Sequence, residues 1–329
     1  MPQAKTEPLV WITAAAMLAA AASLAYLGLQ VDSSQDLVLL RNAVIAEVEP
    51  EGAHEWTPDS IPSDYLAEAL PTPEPLARFA KEASGGTTPV DDFETAVSLA
   101  RALSQNRKRD RGPIQDDTVT ALERITVDGA GYCADYTQVY GALGRAAGLS
   151  VREWGMSFDG YGGDGHAFNE VWDRTRGKWL FIDSFNSFFV TDSDGQPLSA
   201  TEFRRALLDG TTSQLQVVPI NPAKFGFKSP ARAIEYYRRG APRFFLVWGN
   251  NVLTYDASPA VKAFSGVSRS AEQVVGIVLG LQPKLVISRD FADPEGVREL
   301  LRLRVVMIVF LLASVVAGVA LLLHRRRRP

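Results

Sequence analysis

One cysteine, Cys133, stands in 329 residues. That scarcity excludes an intramolecular disulfide and any zinc or iron–sulfur site built on several thiolates, and it leaves the redox compartment open. No internal repeat and no low-complexity tract interrupts the chain. An excess of positive charge is missing as well, the formal net charge being −4. Apart from Lys5, Arg304 and the arginines at 325–328, 28 of the 34 basic residues lie in residues 31–303, with 37 of the 38 acidic ones (all but Glu7), a net of −9. A stretch that acidic offers no phosphate-binding face, so nucleic acid is not an expected partner. The glycine-rich loop at 158–165 lacks the lysine and helix start of a phosphate cradle, and it reads as a mobile connection bordering a groove.

Charge is absent altogether from two long apolar runs, residues 9–29 and 305–323. At about 1.5 Å per residue the first run reaches roughly 31 Å, enough for a bilayer core of about 30 Å. It lacks a clear small-x-small cleavage site before a polar region, which favours an uncleaved anchor over a signal peptide. The arginines at 325–328, with Lys5 pointing the same way, place both termini in the cytoplasm and residues 31–303 outside it, although Arg298, Arg302 and Arg304 flank the second run on its other side. The lipid bilayer is therefore an expected partner.

Between the runs, residues 36–48 are apolar enough for a helix or strand, and 50–75 are crowded with Pro, Glu, Asp and Ser, which argues against long regular elements. His54 has no ligand-like spacing around it and reads as a surface residue. Helical spacing begins at Asp91 with Phe93, Ala96, Val97, Ala100 and Leu103, and the basic run at 107–111 reads as a solvated loop. A second helical pattern runs over 118–125. A third starts near Cys133, with Tyr136, Val139, Tyr140, Leu143 and Ala147 on one face and Gly148 as its stop. The helix start would stabilise a Cys133 thiolate through unpaired N–H groups and the dipole. A lone cysteine more often behaves as a buried small hydrophobe, so this stretch alone leaves its role open.

Strand patterns follow at 150–157, 166–172 and 178–182, the last two flanking a five-residue hairpin signal with Gly177. In an antiparallel pair, His166 at the start of one strand and Asp183 at the end of the next lie on the same side. Farther on, Ser199-Ala200-Thr201-Glu202 is a capping box opening a helix through Leu208. Residues 244–248 and 252–255 around Gly249-Asn250-Asn251 predict a second hairpin, Ser270 opens another helix, and 284–288 predict a strand. Whether residues 199–303 continue the sheet, form a small domain or extend a binding surface stays open.

Three stretches in this order resemble the transglutaminase-like superfamily: Gly131-Tyr132-Cys133-Ala134-Asp135-Tyr136, Gly165-His166-Ala167-Phe168-Asn169-Glu170-Val171-Trp172 and Trp179-Leu180-Phe181-Ile182-Asp183. The resemblance covers about residues 90–190 and takes in the lead-in Ala121-Leu122-Glu123-Arg124 and the helix end at 143–149. It departs after the aspartate, where a Pro or Thr is frequent and this chain reads Ser184-Phe185-Asn186. It implies an α+β, papain-like core, with the cysteine at a helix N-terminus packed on an antiparallel sheet that carries the histidine and aspartate. It also implies acyl transfer: Cys133 as nucleophile, His166 as its proton partner, Asp183 orienting the imidazole, and no metal or cofactor. Gln115, Tyr132 and Gln138 are candidates for a side-chain donor to the oxyanion. Water as acceptor would make a peptidase or amidase, an amine a transglutaminase, with a peptide or protein substrate, in the cell envelope by preference. The alternatives are a non-catalytic binding module that keeps the fold, or a membrane scaffold. The expected organisation is a transmembrane helix at 9–29, a membrane-proximal segment at 31–90, the core at 91–198, an extension at 199–303, a second transmembrane helix at 305–323 and a basic tail at 324–329.

Overall fold

The structure, a computed structural model, describes residues 7–31, 33–85, 91–108, 112–114, 116–266 and 268–326. Lys5, residues 109–111 of the basic run, Gln115, Arg327 and Arg328 lie outside the described residues. Two units divide the chain. One comprises the N-terminal stretch through Val44, Asp159–Gly163 and the C-terminal stretch from Pro294; the other comprises Ile45–Phe158 and Asp164–Asp293.

In the first unit, α1 (Glu7–Gly28), α2 (Ser34–Ile45, through Val44) and the C-terminal helix are the regular elements. Segments Leu9–Gly28 and Pro294–His324 are long and apolar enough to cross a membrane, by length and composition. The C-terminal helix, Pro294–Arg326, is 33 residues long. At about 1.5 Å per residue it reaches roughly 50 Å, longer than a hydrocarbon core of about 30 Å. Leu300 and Leu303 are buried on its first turns, and Arg304 Nε donates to the Ala43 carbonyl at 2.7 Å.

The second unit holds β1 (Ala46–Glu49), α3 (Glu74–Ala83), α4 (Asp92–Ser104), α5 (Thr118–Asp128), α6 (Cys133–Ala146), β2 (Val151–Ser157), β3 (Gly165–Asp173), β4 (Lys178–Ile182) and β5 (Phe188–Thr191). It continues with α7 (Ala200–Leu208), β6 (Gln216–Pro219), α8 (Pro230–Gly240), β7 (Phe244–Val247), α9 (Val252–Ala257), α10 (Pro259–Ser265), α11 (Arg269–Val278) and β8 (Leu285–Ser288). The C-terminal helix is α12. Side-chain caps fix several starts: Asp91 accepts from the Phe93 and Glu94 N–H groups, and Asp117 from those of Val119 and Thr120. Ser199 and Glu202 form the reciprocal box that opens α7.

Six strands form one sheet in the order β1-β8-β7-β2-β3-β4, antiparallel except for the β1–β8 pair. The segment after residue 199 therefore continues the sheet through β7 and β8. The membrane-proximal segment is more regular than its proline content suggests: β1 is an edge of this sheet, and α3 buries Leu76 and Ala80 in the core. Period-two alternation splits the sheet between two cores. Val151, Val171, Leu180 and Ile182 face α3–α6, with Leu99, Leu122, Val139 and Leu143 above them. Trp154, Met156, Phe168 and Phe181 face the other way, onto Phe203, Tyr237 and Phe244. A Cβ on Gly144 would lie 2.4 Å from Val151 Cγ2, so a bare glycine is what lets α6 settle onto β2.

Two expectations are corrected. Residues 252–255 are not a strand. Glu68 accepts from the N–H groups of Leu253 and Thr254 at 2.6 and 3.0 Å and from the Thr254 hydroxyl at 2.6 Å, which starts helix α9 where a hairpin was expected. His54 is not a surface residue. It is 6% exposed, stacked on Phe291 at 4.5 Å with the edge of Trp154 nearby, and burial holds its pKa below the ordinary imidazole value.

Candidate active site

Cys133 is the first residue of α6 and is half-buried. The chain enters it through Gly131 at φ +101°, a backbone that side chains rarely adopt, where a Cβ would also press on Ile114 and Asp135 at 3.2 and 3.3 Å. Asp135, in the first turn, accepts from the Tyr132 N–H at 2.7 Å and from the Ile114 N–H at 3.2 Å, which ties the entry loop to the helix. The N–H groups of Cys133 and Ala134 belong to the first turn, where a helix supplies no backbone acceptor. They form a fixed donor set beside the thiol.

His166, the second residue of β3, lies opposite Met156 on β2, and the β3–β4 register pairs Asn169 with Ile182. Asp183 follows β4 directly. Counted along each strand, His166, Phe168, Phe181 and Asp183 fall on the same face of the sheet. His166 Nε2 and Asp183 Oδ2 are 2.9 Å apart, with His166 5% exposed and Asp183 fully buried. With Nε2 committed to the carboxylate, Nδ1 is the ring nitrogen available to the thiol. Burial pulls the imidazole pKa down, but the charges of Asp183 and Cys133, and hydrogen bonds to both, outweigh it and push His166 up to about 10. The geometry places the imidazole between the Asp183 carboxylate and the Cys133 side chain. Asp183 moves the other way: burial opposes its ionisation, yet the His166 charge and the bonds from His166 and Asn186 hold it below the ordinary carboxylate value. The structure thus brings all three expected residues together.

A tight reversal after β4 supplies more of the site. Asp183 and Phe188 exchange both backbone hydrogen bonds, and the loop between them turns through Ser187 at φ 58°. That loop aims Asn186 back at Asp183. Its backbone N–H donates to Oδ1 at 2.8 Å and its Nδ2 to Oδ2 at 2.8 Å. The Tyr237 hydroxyl donates to the same Oδ2 at 2.8 Å. Asn186 was visible in the sequence only as part of a departure from the family's usual Pro or Thr. Tyr237 carried no signal, standing on α8 in a stretch without recognisable chemistry.

Of the oxyanion-donor candidates, Gln115 lies outside the described residues. Gln138 Nε2 already donates to the Thr118 hydroxyl at 2.8 Å, which engages it within the α5–α6 packing. Tyr132, at the N-cap, is half exposed. The backbone N–H groups at the start of α6 are the donors the fold itself fixes beside the thiol. Among the described residues, no three His, Cys, Asp or Glu side chains gather as a metal ion would require.

Comparison with known proteins agrees with this geometry at the level of family. The model of the transglutaminase-like superfamily matches residues 77–184. No curated protein matches the chain. One solved structure similar to it is a provisionally assigned cysteine protease from Cytophaga hutchinsonii, with 23% identity over 42% of this chain and 46% of that one and a TM-score of 0.28. The chain thus spans a little under half of that protein, and so loose a superposition carries no argument about this site. Residues 77–184 are a domain of the transglutaminase-like superfamily, and their bounds take in Cys133, His166 and Asp183.

Proposed function

We propose that the protein is a membrane-anchored, cysteine-dependent acyl-transfer enzyme that acts on peptide or protein amides through a thioester. The observation that carries this reading is the buried His166–Asp183 pair, 2.9 Å apart, whose imidazole lies beside Cys133 at the start of α6. The thiolate of Cys133 attacks the amide carbonyl and forms the S–C bond. The oxygen takes the negative charge and is met by the N–H groups at the start of α6. As the intermediate collapses, the C–N bond breaks and His166 gives its proton to the departing amine. Neutral His166 then takes a proton from the acceptor, water or an amine. The acceptor displaces the thiolate, which leaves a carboxylic acid or a new amide. Asp183 stays ionised throughout, holding the ring in one orientation.

Support for anchoring comes from the two apolar helices, and for sidedness from the arginines at 325–328, which favour a cytoplasmic C-terminus. The catalytic domain then faces outward, where peptide or cell-envelope amides are its substrates. The test is labelling of the full chain with an electrophilic peptide library, followed by mass spectrometry. An adduct on Cys133 that disappears in Cys133→Ala and falls in His166→Gln supports the enzyme, and its acyl group identifies the substrate class. A Cys133 that labels only in denaturant overturns the reading. External protease applied to spheroplasts tests sidedness: digestion of residues 31–303 is expected, and their protection would reverse the topology.

A further inference from the structure

The family match ends at residue 184, yet Asp183 is held by a side chain 54 residues beyond it in sequence. Helix α8 is built to deliver that side chain. Ser229 and Pro230 open it, and it buries Ala233, Tyr237 and Gly240, spaced to form one face. Gly240 admits a close approach, since a Cβ there would meet the Met156 side chain at 2.6–3.1 Å, and Met156 is the cross-strand partner of His166. Tyr237 is fully buried, with its ring against those of His166, Phe168, Phe181, Phe188 and Phe203. It therefore has little freedom to point its hydroxyl elsewhere. The hydroxyl reaches Oδ2, the same carboxylate oxygen that faces His166 Nε2.

We propose that Tyr237 is a positioning residue of the site, setting through its hydrogen bond to Asp183 how strongly the carboxylate holds the proton of His166. The chemical consequence follows from the shared oxygen. A donor on Oδ2 draws off part of the negative charge that the imidazolium would otherwise feel, and it fixes the plane of the carboxylate. The phenol remains protonated at working pH, because burial and the adjacent carboxylate both oppose its ionisation. The reacting set thus runs from α6 to α8, and the segment after residue 199 contributes a side chain to it. This rests on reading Cys133, His166 and Asp183 as the reacting residues.

The test is the titration of the His166 ring, followed by NMR of 13C-histidine-labelled full chain in detergent, in a Cys133→Ala background that removes the thiolate. Tyr237→Phe deletes only the hydroxyl and should raise the His166 midpoint by about half a pH unit. Site-specific 3-fluorotyrosine at 237 keeps the shape and strengthens the donor, and it should lower the midpoint. Shifts of opposite sign support the proposal, because repacking has no reason to reverse with phenol acidity. Unchanged midpoints, or shifts of one sign, overturn it and leave Tyr237 as a core residue. The fluorinated variant keeps the question answerable if Tyr237→Phe does not fold. Neither measurement uses activity, so a Cys133 that fails to label would end the enzyme reading without moving these midpoints.

Discussion

Asn186 meets the carboxylate of Asp183 twice, giving its backbone N–H to Oδ1 and its side-chain amide to Oδ2, each at 2.8 Å. With His166 and Tyr237 also on Oδ2, the buried charge is matched by donors from a strand, a turn and a helix. Buried carboxylates persist only under such compensation. Removing the side-chain donor should therefore cost the site more than it costs the fold. In Asn186→Ala the backbone bond survives while one charge-assisted bond is lost, worth about 1–3 kcal/mol. We expect Cys133 alkylation at neutral pH to slow about tenfold, the rate equivalent of about 1.4 kcal/mol. Iodoacetamide kinetics check this, and wild-type rates in the variant would show that Asn186 plays no part in orienting the acid.

The opposed pKa shifts of His166 and Asp183 give stability a defined dependence on pH. Asp183 is depressed in the folded chain, so its contribution is present above the ordinary carboxylate value of 3.8 and is lost as pH falls through the folded value. His166 is raised from 6.5 to about 10, so its contribution is complete below 6.5 and is lost as pH rises towards about 10. Melting temperature measured across that alkaline window should fall in the wild type. In His166→Gln the part of the fall that belongs to this ring should vanish. Parallel curves for the two proteins would contradict the assignment.

Beneath the site lies a second buried ionic group, invisible in the sequence except as alternating polar residues. Glu170 lies on the same face of β3 as His166. It accepts from Arg152 Nε at 2.8 Å, from the Trp154 indole and from the Ala200 N–H at 2.6 Å, the last at the start of α7. The pair is almost entirely shielded, at 2% and 0% side-chain exposure. Glu170→Ala strands a buried guanidinium, and we expect a loss of about 3–5 kcal/mol. The joint change Arg152→Met with Glu170→Leu should recover only part of that loss: it removes the stranded charge, but the Trp154 indole and the Ala200 N–H still lose their acceptor. Denaturant titration of the three proteins decides it.

What the sequence could and could not disclose follows a physical line. The placement of Cys133 at a helix start and of His166 and Asp183 on neighbouring strands was legible because local pattern carries it: a glycine break before a helical period, then two alternating strands joined by a hairpin. Their roles came only from the resemblance to the transglutaminase-like superfamily. Strands β2, β3 and β4 and helices α4 to α7 followed from the same signals and from their caps. The errors share a cause. Val252-Leu253-Thr254-Tyr255 has strand-like side chains, and what makes it helical is a Glu68 carboxylate from far upstream. His54 looked solitary because Phe291 and Trp154, which enclose it, are distant in sequence. Tyr237 was missed for the same reason, its partner lying across 54 residues. Local period exposes the elements; it is silent on which far residue meets an element's end.

The seat of α6 offers a final test, joining packing to chemistry. Gly144 lies on the buried face of the helix that begins with Cys133, and a Cβ there would come within 2.4 Å of Val151 Cγ2 on β2. Ala is ordinarily the better helix former, so on propensity alone Gly144→Ala would stabilise by about 1 kcal/mol. The contact reverses that sign. Overpacking of this kind costs about 1–3 kcal/mol, and relief requires α6 to lift from the sheet. A lifted helix carries the thiol away from His166, so Gly144→Ala should lower both the melting temperature and the alkylation rate. Val151→Ala removes the obstructing methyl groups and should restore the rate in the double variant, although its own cavity keeps the melting temperature below wild type. A Gly144→Ala protein that melts higher and labels normally would mean that α6 tolerates the extra methyl without moving, and that its distance from β2 does not govern the site.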